Sequence, residues 1–166
     1  SDKTVALTPA ASADATLKIS SGTLSLFSGN VNWSQKLVMG DGTTLTVQDG
    51  PAVSGYYNYD ATSINGDGFT FSGAATFGTG VNLTTQYGKN IKFTGVLTAA
   101  SGFSISGADS EYTYYTLTGT ENQIGGTIAI TRNSTSLGIN ASGSLGTAAV
   151  TTSSGSQYLT YYGTAG

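Results

Sequence analysis

The sequence predicts an all-β fold, an antiparallel β-sandwich of Ig-like or jelly-roll-like build with about a dozen short strands, with a closed β-barrel as the alternative. Three observations carry this. Apolar residues alternate with polar ones at period two from end to end, turn-forming clusters separate the alternating segments, and Thr, Val, Ile, Phe and Tyr, the residues that fit a pleated surface, are abundant. No window sustains the three-to-four-residue spacing of an amphipathic helix, and the small-residue run at 10–15 is too short to hold one alone.

The strands follow in order. Leu17/Ile19, Leu24/Leu26, Val31/Trp33, Leu37/Met39 and Leu45/Val47 each put two apolar side chains on one face of an extended segment. Tyr57/Tyr59, Phe69/Phe71, Val81/Leu83, Ile91/Phe93 and Phe103/Ile105 continue the pattern, and Tyr112/Tyr114, Ile128/Ile130, Leu137/Ile139 and Tyr158/Tyr162 complete it. Between them, Gly40-Asp41-Gly42, Asn65-Gly66-Asp67-Gly68, Gly88-Lys89-Asn90 and Gly125-Gly126 supply residues that tolerate positive φ, as hairpin turns require.

A shorter motif recurs: an apolar residue, then Ser or Thr, then Gly. Phe71-Ser72-Gly73, Phe93-Thr94-Gly95 and Leu117-Thr118-Gly119 are examples. Residues 69–76 align with residues 91–98, placing Phe71 over Phe93, Gly73 over Gly95 and Thr76 over Thr98. Glycine inside a strand pattern marks a bulge, a bend or close approach of another backbone. Because the copies are unequally spaced, sharply bent strands of a compact fold are expected rather than a solenoid repeat.

Residues 1–13 stand apart from a single domain at 14–166. Thr4-Val5-Ala6-Leu7-Thr8 alternates as a strand does, and the pliable Pro9-Ala10-Ala11-Ser12-Ala13 follows it. Such a segment either folds back onto its own sheet or donates a strand, through Val5 and Leu7, to a neighbouring copy.

Composition removes most chemistry. The 166 residues include no Cys and no His, only 9% are charged, and the net charge is -3. The commonest general base, the thiolate nucleophile and the commonest metal ligands are therefore missing. Serine nucleophiles would need a Lys partner, and no Ser-x-x-Lys motif is present. Asp109 and Glu111 are spaced to share a strand face as a carboxylate pair, but Gly107-Ala108-Asp109-Ser110-Glu111 reads as a solvated loop, so no enzyme is expected. Asp41, Asp49, Asp60 and Asp67 lie in Gly-rich turns of the kind Ca²⁺ favours, yet none extends into an EF-hand or a tandem nonapeptide. Turn chemistry accounts for them, and no cofactor is expected, with Ca²⁺ as the one alternative.

Partners narrow similarly. Six scattered basic residues give no face for nucleic acid, and no apolar run is long enough to span a membrane. The sequons at Asn32, Asn82, Asn133 and Asn140 are candidate glycosylation sites, and the start at Ser1 rather than Met reads as a processed one. Both lean towards an extracellular or cell-surface place. Ten Tyr fall in clusters, and Tyr57, Tyr114 and Tyr161 are candidates for an outward contact surface. So few charges leave strand edges poorly guarded against other strands. The expected function is a non-catalytic extracellular subunit that polymerises with copies of itself into a surface filament, by donor-strand complementation. Alternatives are an adhesion module that binds surface glycans, and a virion fibre or decoration protein.

Overall fold

A computed structural model of the chain describes residues 15–27, 31–48, 68–85, 89–107, 112–140, 142–153 and 155–161. The chain is all-β as expected, but every strand pair in it is parallel. The backbone winds as a β-solenoid of about five turns, with three sheets as its walls. This corrects the antiparallel sandwich, whether Ig-like or jelly-roll-like, and the closed barrel alike. No strand folds back on its predecessor; each pairs with the strand one coil away.

Sheet A stacks β1 (Thr16–Ile19), β4 (Lys36–Met39), β7 (Ala75–Phe77), β10 (Leu97–Ala99) and β13 (Gln123–Ile124). Sheet B stacks β2 (Thr23–Phe27), β5 (Thr44–Gln48), β8 (Asn82–Thr85), β11 (Gly102–Ser106), β14 (Thr127–Ile130) and β16 (Ala149–Thr152). Sheet C stacks β3 (Val31–Trp33), β6 (Gly68–Phe71), β9 (Asn90–Phe93), β12 (Thr113–Leu117), β15 (Thr135–Ile139) and β17 (Gln157–Tyr161). In the last coil a 3₁₀ turn at Ser142–Leu145 takes the place of a further strand in sheet A.

Alternation sends one side of each strand inward, and the in-register ladders stack those residues into columns. Leu45, Leu83, Ile105 and Ile130 form one column under sheet B, each at most 1% exposed. Phe71, Phe93 and Leu117 form another under sheet C. Full burial of each such side chain contributes roughly 1.5 to 3 kcal/mol. Phe77 then meets Phe93 and Phe103 edge-on, with centroids 5.6 and 5.4 Å away, tying the columns of the three walls together.

The recurring motif is a true coil repeat. Phe71 pairs with Phe93 and Thr76 with Thr98, in the alignment read from the sequence. Its glycines turn the corner from sheet C to sheet A, where coils touch through their backbones: a Cβ on Gly119 would lie 2.7 Å from the Gly95 carbonyl oxygen. At the corner from A to B the chain needs a left-handed residue, and Gly42 (φ +64°) and Gly80 (φ +71°) provide it in successive coils. The Gly-Asp-Gly cluster thus bends the chain between sheets instead of reversing it as a hairpin. Asp41 adds a clasp, its carboxylate accepting a hydrogen bond from the Thr79 amide one coil on at 2.8 Å.

One strand runs out of phase with expectation. Tyr112/Tyr114 was the alternating pair in the sequence, but the structure buries Thr113, Tyr115 and Leu117 and leaves Tyr112 exposed. Tyr115 can point inward because its hydroxyl donates to the carbonyls of Ser106 (2.6 Å) and Leu83 (3.1 Å).

Candidate functional site

The interior is packed for stability. Among the described residues, Tyr115 is the ionisable group that the interior perturbs: burial pushes the phenol far above its ordinary range, and hydrogen bonds to Thr85 and Ser106 offset only part of that. Asn122, also buried, accepts from the Leu97 amide and donates to the Ser144 carbonyl, joining coil to coil. Among the described residues no group of three His, Cys, Asp or Glu converges as a metal or acid/base centre would. Two surfaces stand out on the outside of the coils.

The outer face of sheet B differs from the other two. Its first outward row reads Thr23, Thr44, Asn82, Ser104, Ala129, Thr151 across the six strands. A second row runs through Ser25, Thr46, Thr84 and Ser106, and Thr131 and Ser153 follow at the ends of β14 and β16. Neither row contains a charge or an aromatic ring. Hydrogen bonds fix several of these side chains: the Thr46 and Thr84 hydroxyls are 2.7 Å apart, and the Ser104 hydroxyl donates to Asn82 Oδ1 at 2.9 Å. By contrast, the outer row of sheet A holds Lys18, Val38 and Gln123, and in sheet C one outer row holds Lys92 and a second holds Tyr114 and Tyr158.

The second surface is the last strand of sheet C. Leu159 pairs with Leu137 and Tyr161 with Ile139, so both continue inner columns. Leu137 is fully buried, whereas Leu159 is 49% exposed and Tyr161 55% exposed. Among the described residues, nothing lies on the far edge of β17. At this edge the two inner columns are left about half exposed.

Residues singled out in the sequence are dispersed. Asn32 lies exposed on β3, where its Oδ1 accepts a hydrogen bond from the Ser72 hydroxyl at 2.7 Å; Asn82 belongs to the sheet B row. Asn133 is exposed in the turn before β15, and Asn140 is exposed just after it. Tyr114 is half-buried and stands two strands from Tyr158 in the same outward row, with Ser136 between them. Tyr161 sits at the open edge. Val5, Leu7, Tyr57, Asp109 and Glu111 lie outside the described residues, as do Asp49, Asp60 and Asp67.

The chain matches no family model, no curated protein and no solved structure. Its function must be reasoned from these two surfaces. The described chain contains no helix long and apolar enough to cross a membrane. Sequence reading passed over the sheet B face, although its signal is visible in Thr44-Leu45-Thr46 and Ser104-Ile105-Ser106. Outward hydroxyls are what any half-buried strand shows; only parallel stacking turns them into an array.

Proposed function

We propose that the chain is a non-catalytic structural subunit of an extracellular or cell-surface fibre, a solenoid rod that lengthens by coil-on-coil addition of another copy. The observation that carries this is the open edge of β17. A solenoid is stable only where each coil is covered by the next, and natural repeats close their ends with polar caps. Here Leu159 and Tyr161 present the beginning of another inner layer instead. The strand also offers its outward-lying N–H and C=O groups to a further parallel strand.

Strand addition suits this edge. An incoming segment needs two apolar side chains spaced two apart, and Val5/Leu7 has that spacing. Burying two aliphatic side chains contributes roughly 3 to 6 kcal/mol, and each new backbone hydrogen bond about 0.5 to 1.5 kcal/mol, before ordering costs. Together these are enough to hold a junction between subunits. Low charge on the coils and the absence of His and Cys fit a part that pairs without reacting, and the exposed sequons at Asn32, Asn133 and Asn140 fit an extracellular place.

Sedimentation velocity over a wide concentration range tests the reading. The full chain is expected to associate into a ladder of oligomers, and Leu159→Lys is expected to sediment as a monomer with an unchanged circular dichroism spectrum. A chain that stays monomeric at the highest concentration, or a Leu159→Lys variant that associates equally well, would overturn it. Deleting residues 1–10 separates N-terminal donation, in which association is lost, from direct stacking of one coil end on another, in which it is kept.

A further inference from the structure

We propose that the outer face of sheet B is an ice-binding surface. What such a face recognises follows from what it displays. Two rows of small uncharged side chains run across the sheet, ten of the twelve bearing hydroxyls and the other two being Asn82 and Ala129, so an ionic ligand has no charge in them to pair with. Sugar rings bind most strongly by stacking on aromatic faces, and neither row has an aromatic ring. A protein partner held by a buried anchor needs a pocket and a large apolar or Arg side chain, and the rows offer neither. The remaining ligand is one that is itself uncharged, extended and periodic, and made of hydrogen-bonding groups.

Crystalline water has those properties. Parallel strands repeat every 4.7 to 4.9 Å or so along the ladder, close to the repeat of water oxygens on a prism face of ice. Each threonine adds a methyl group that holds neighbouring water in an ordered cage beside a hydroxyl that joins the lattice. Thr44, Thr46 and Thr84 stand together on the adjacent strands β5 and β8, with Thr46 and Thr84 already in contact through their hydroxyls. Beneath them Leu45 and Leu83 are almost wholly buried, so the rungs are fixed from below. Pre-ordered side chains lose little freedom on binding, which is what allows many individually weak contacts to add up. Side-chain ladders of this kind are also the setting in which β-sheets lie flat.

The test uses the purified full chain in an ice-recrystallisation assay and in partition into a slowly grown ice crystal, both repeated with Leu159→Lys to keep assembly out of the result. The natural chain is expected to restrain crystal growth and to enter the ice. Thr46→Lys, with Ser104→Tyr as a second and differently shaped disruption, is expected to weaken both effects by about tenfold or more. Thr98→Lys, on the outer row of sheet A, is expected to change neither effect. Circular dichroism melts establish that the variants are folded. The proposal is overturned if the natural chain behaves as an inert protein at equal concentration, or if folded Thr46→Lys and Ser104→Tyr retain full effect. It is overturned equally if these variants lose binding to microcrystalline cellulose or chitin while ice is unaffected, which would assign the face to polysaccharide.

Discussion

The ring of Phe71 lies on that of Phe93 with centroids 5.0 Å apart and planes only 14° from parallel, one coil above the other. Parallel in-register pairing forces this contact, since equivalent residues of adjacent coils must face the same interior. Phe93 also receives the edge of Phe77, so it touches the walls of both sheet C and sheet A. Phe93→Ala is expected to cost about 3 to 5 kcal/mol in equilibrium denaturation, while Thr116→Ala, on the outer side of the next strand, should stay within about 0.5 kcal/mol.

At the corner from sheet C to sheet A the coils touch through bare backbone. A Cβ added to Gly95 would press on the Gly73 carbonyl oxygen, and one added to Gly119 on that of Gly95. Gly95→Ala is therefore expected to lower the thermal midpoint, with a cost of about 1 to 3 kcal/mol as for other overpacked sites. Gly155→Ala is the comparison, because open space surrounds that position. It should leave the midpoint close to that of the natural chain.

Asn122 does for the last coils what backbone pairing does elsewhere. Its side chain satisfies the Leu97 amide at 2.8 Å on one side and the Ser144 carbonyl at 2.9 Å on the other, in a buried setting. Asn122→Leu keeps the approximate size but leaves both groups unpaired. Losing these bonds should cost about 1 to 3 kcal/mol for each buried group left unsatisfied. Hydrogen exchange should rise first at the Leu97 amide, and an unchanged exchange rate there would contradict the assignment.

Tyr115 makes stability fall at high pH. Its folded-state pKa is raised by burial, so the unfolded chain loses the phenolic proton first, from about pH 10. Its contribution is fully present below that pH and is lost progressively as pH rises further. Denaturation midpoints measured from about pH 8 to pH 11 should therefore decline, and the decline should be shallower in Tyr115→Phe. Equal slopes in the two proteins would contradict this role.

Much of the inner pattern was legible in the sequence, and the topology was not. Leu45/Val47, Phe69/Phe71 and Ile128/Ile130 alternate identically whether the neighbouring strand runs parallel or antiparallel, so period two reports a buried face and is silent on direction. Gly42 and Gly126 do adopt the positive φ that their turn clusters suggested, but the same backbone conformation serves a solenoid corner as well as a hairpin. The coil repeat was masked by an interruption. Leu24 pairs with Leu45 and Leu83 with Ile105 at similar intervals, whereas Leu45 reaches Leu83 only across residues 49–67. Sheet A was hardest to see, because Ala75–Phe77, Leu97–Ala99 and Gln123–Ile124 are too short for alternation to show.

The surfaces were legible in part. Tyr161, expected as part of an outward contact surface, instead continues the inner column of Ile139 and is exposed only because it lies on the edge strand β17. The sheet B rows required knowing that Thr44, Asn82 and Ser104, far apart in sequence, are neighbours.

Diffraction from oriented filaments of the purified chain tests solenoid and assembly together. Coil-on-coil growth places every strand across the filament, so the strand-spacing reflection, at about 4.7 to 4.9 Å, should lie along the filament axis, and Leu159→Lys should yield no filaments. The same reflection perpendicular to the axis, or a protein that forms no filaments at any concentration, would contradict it.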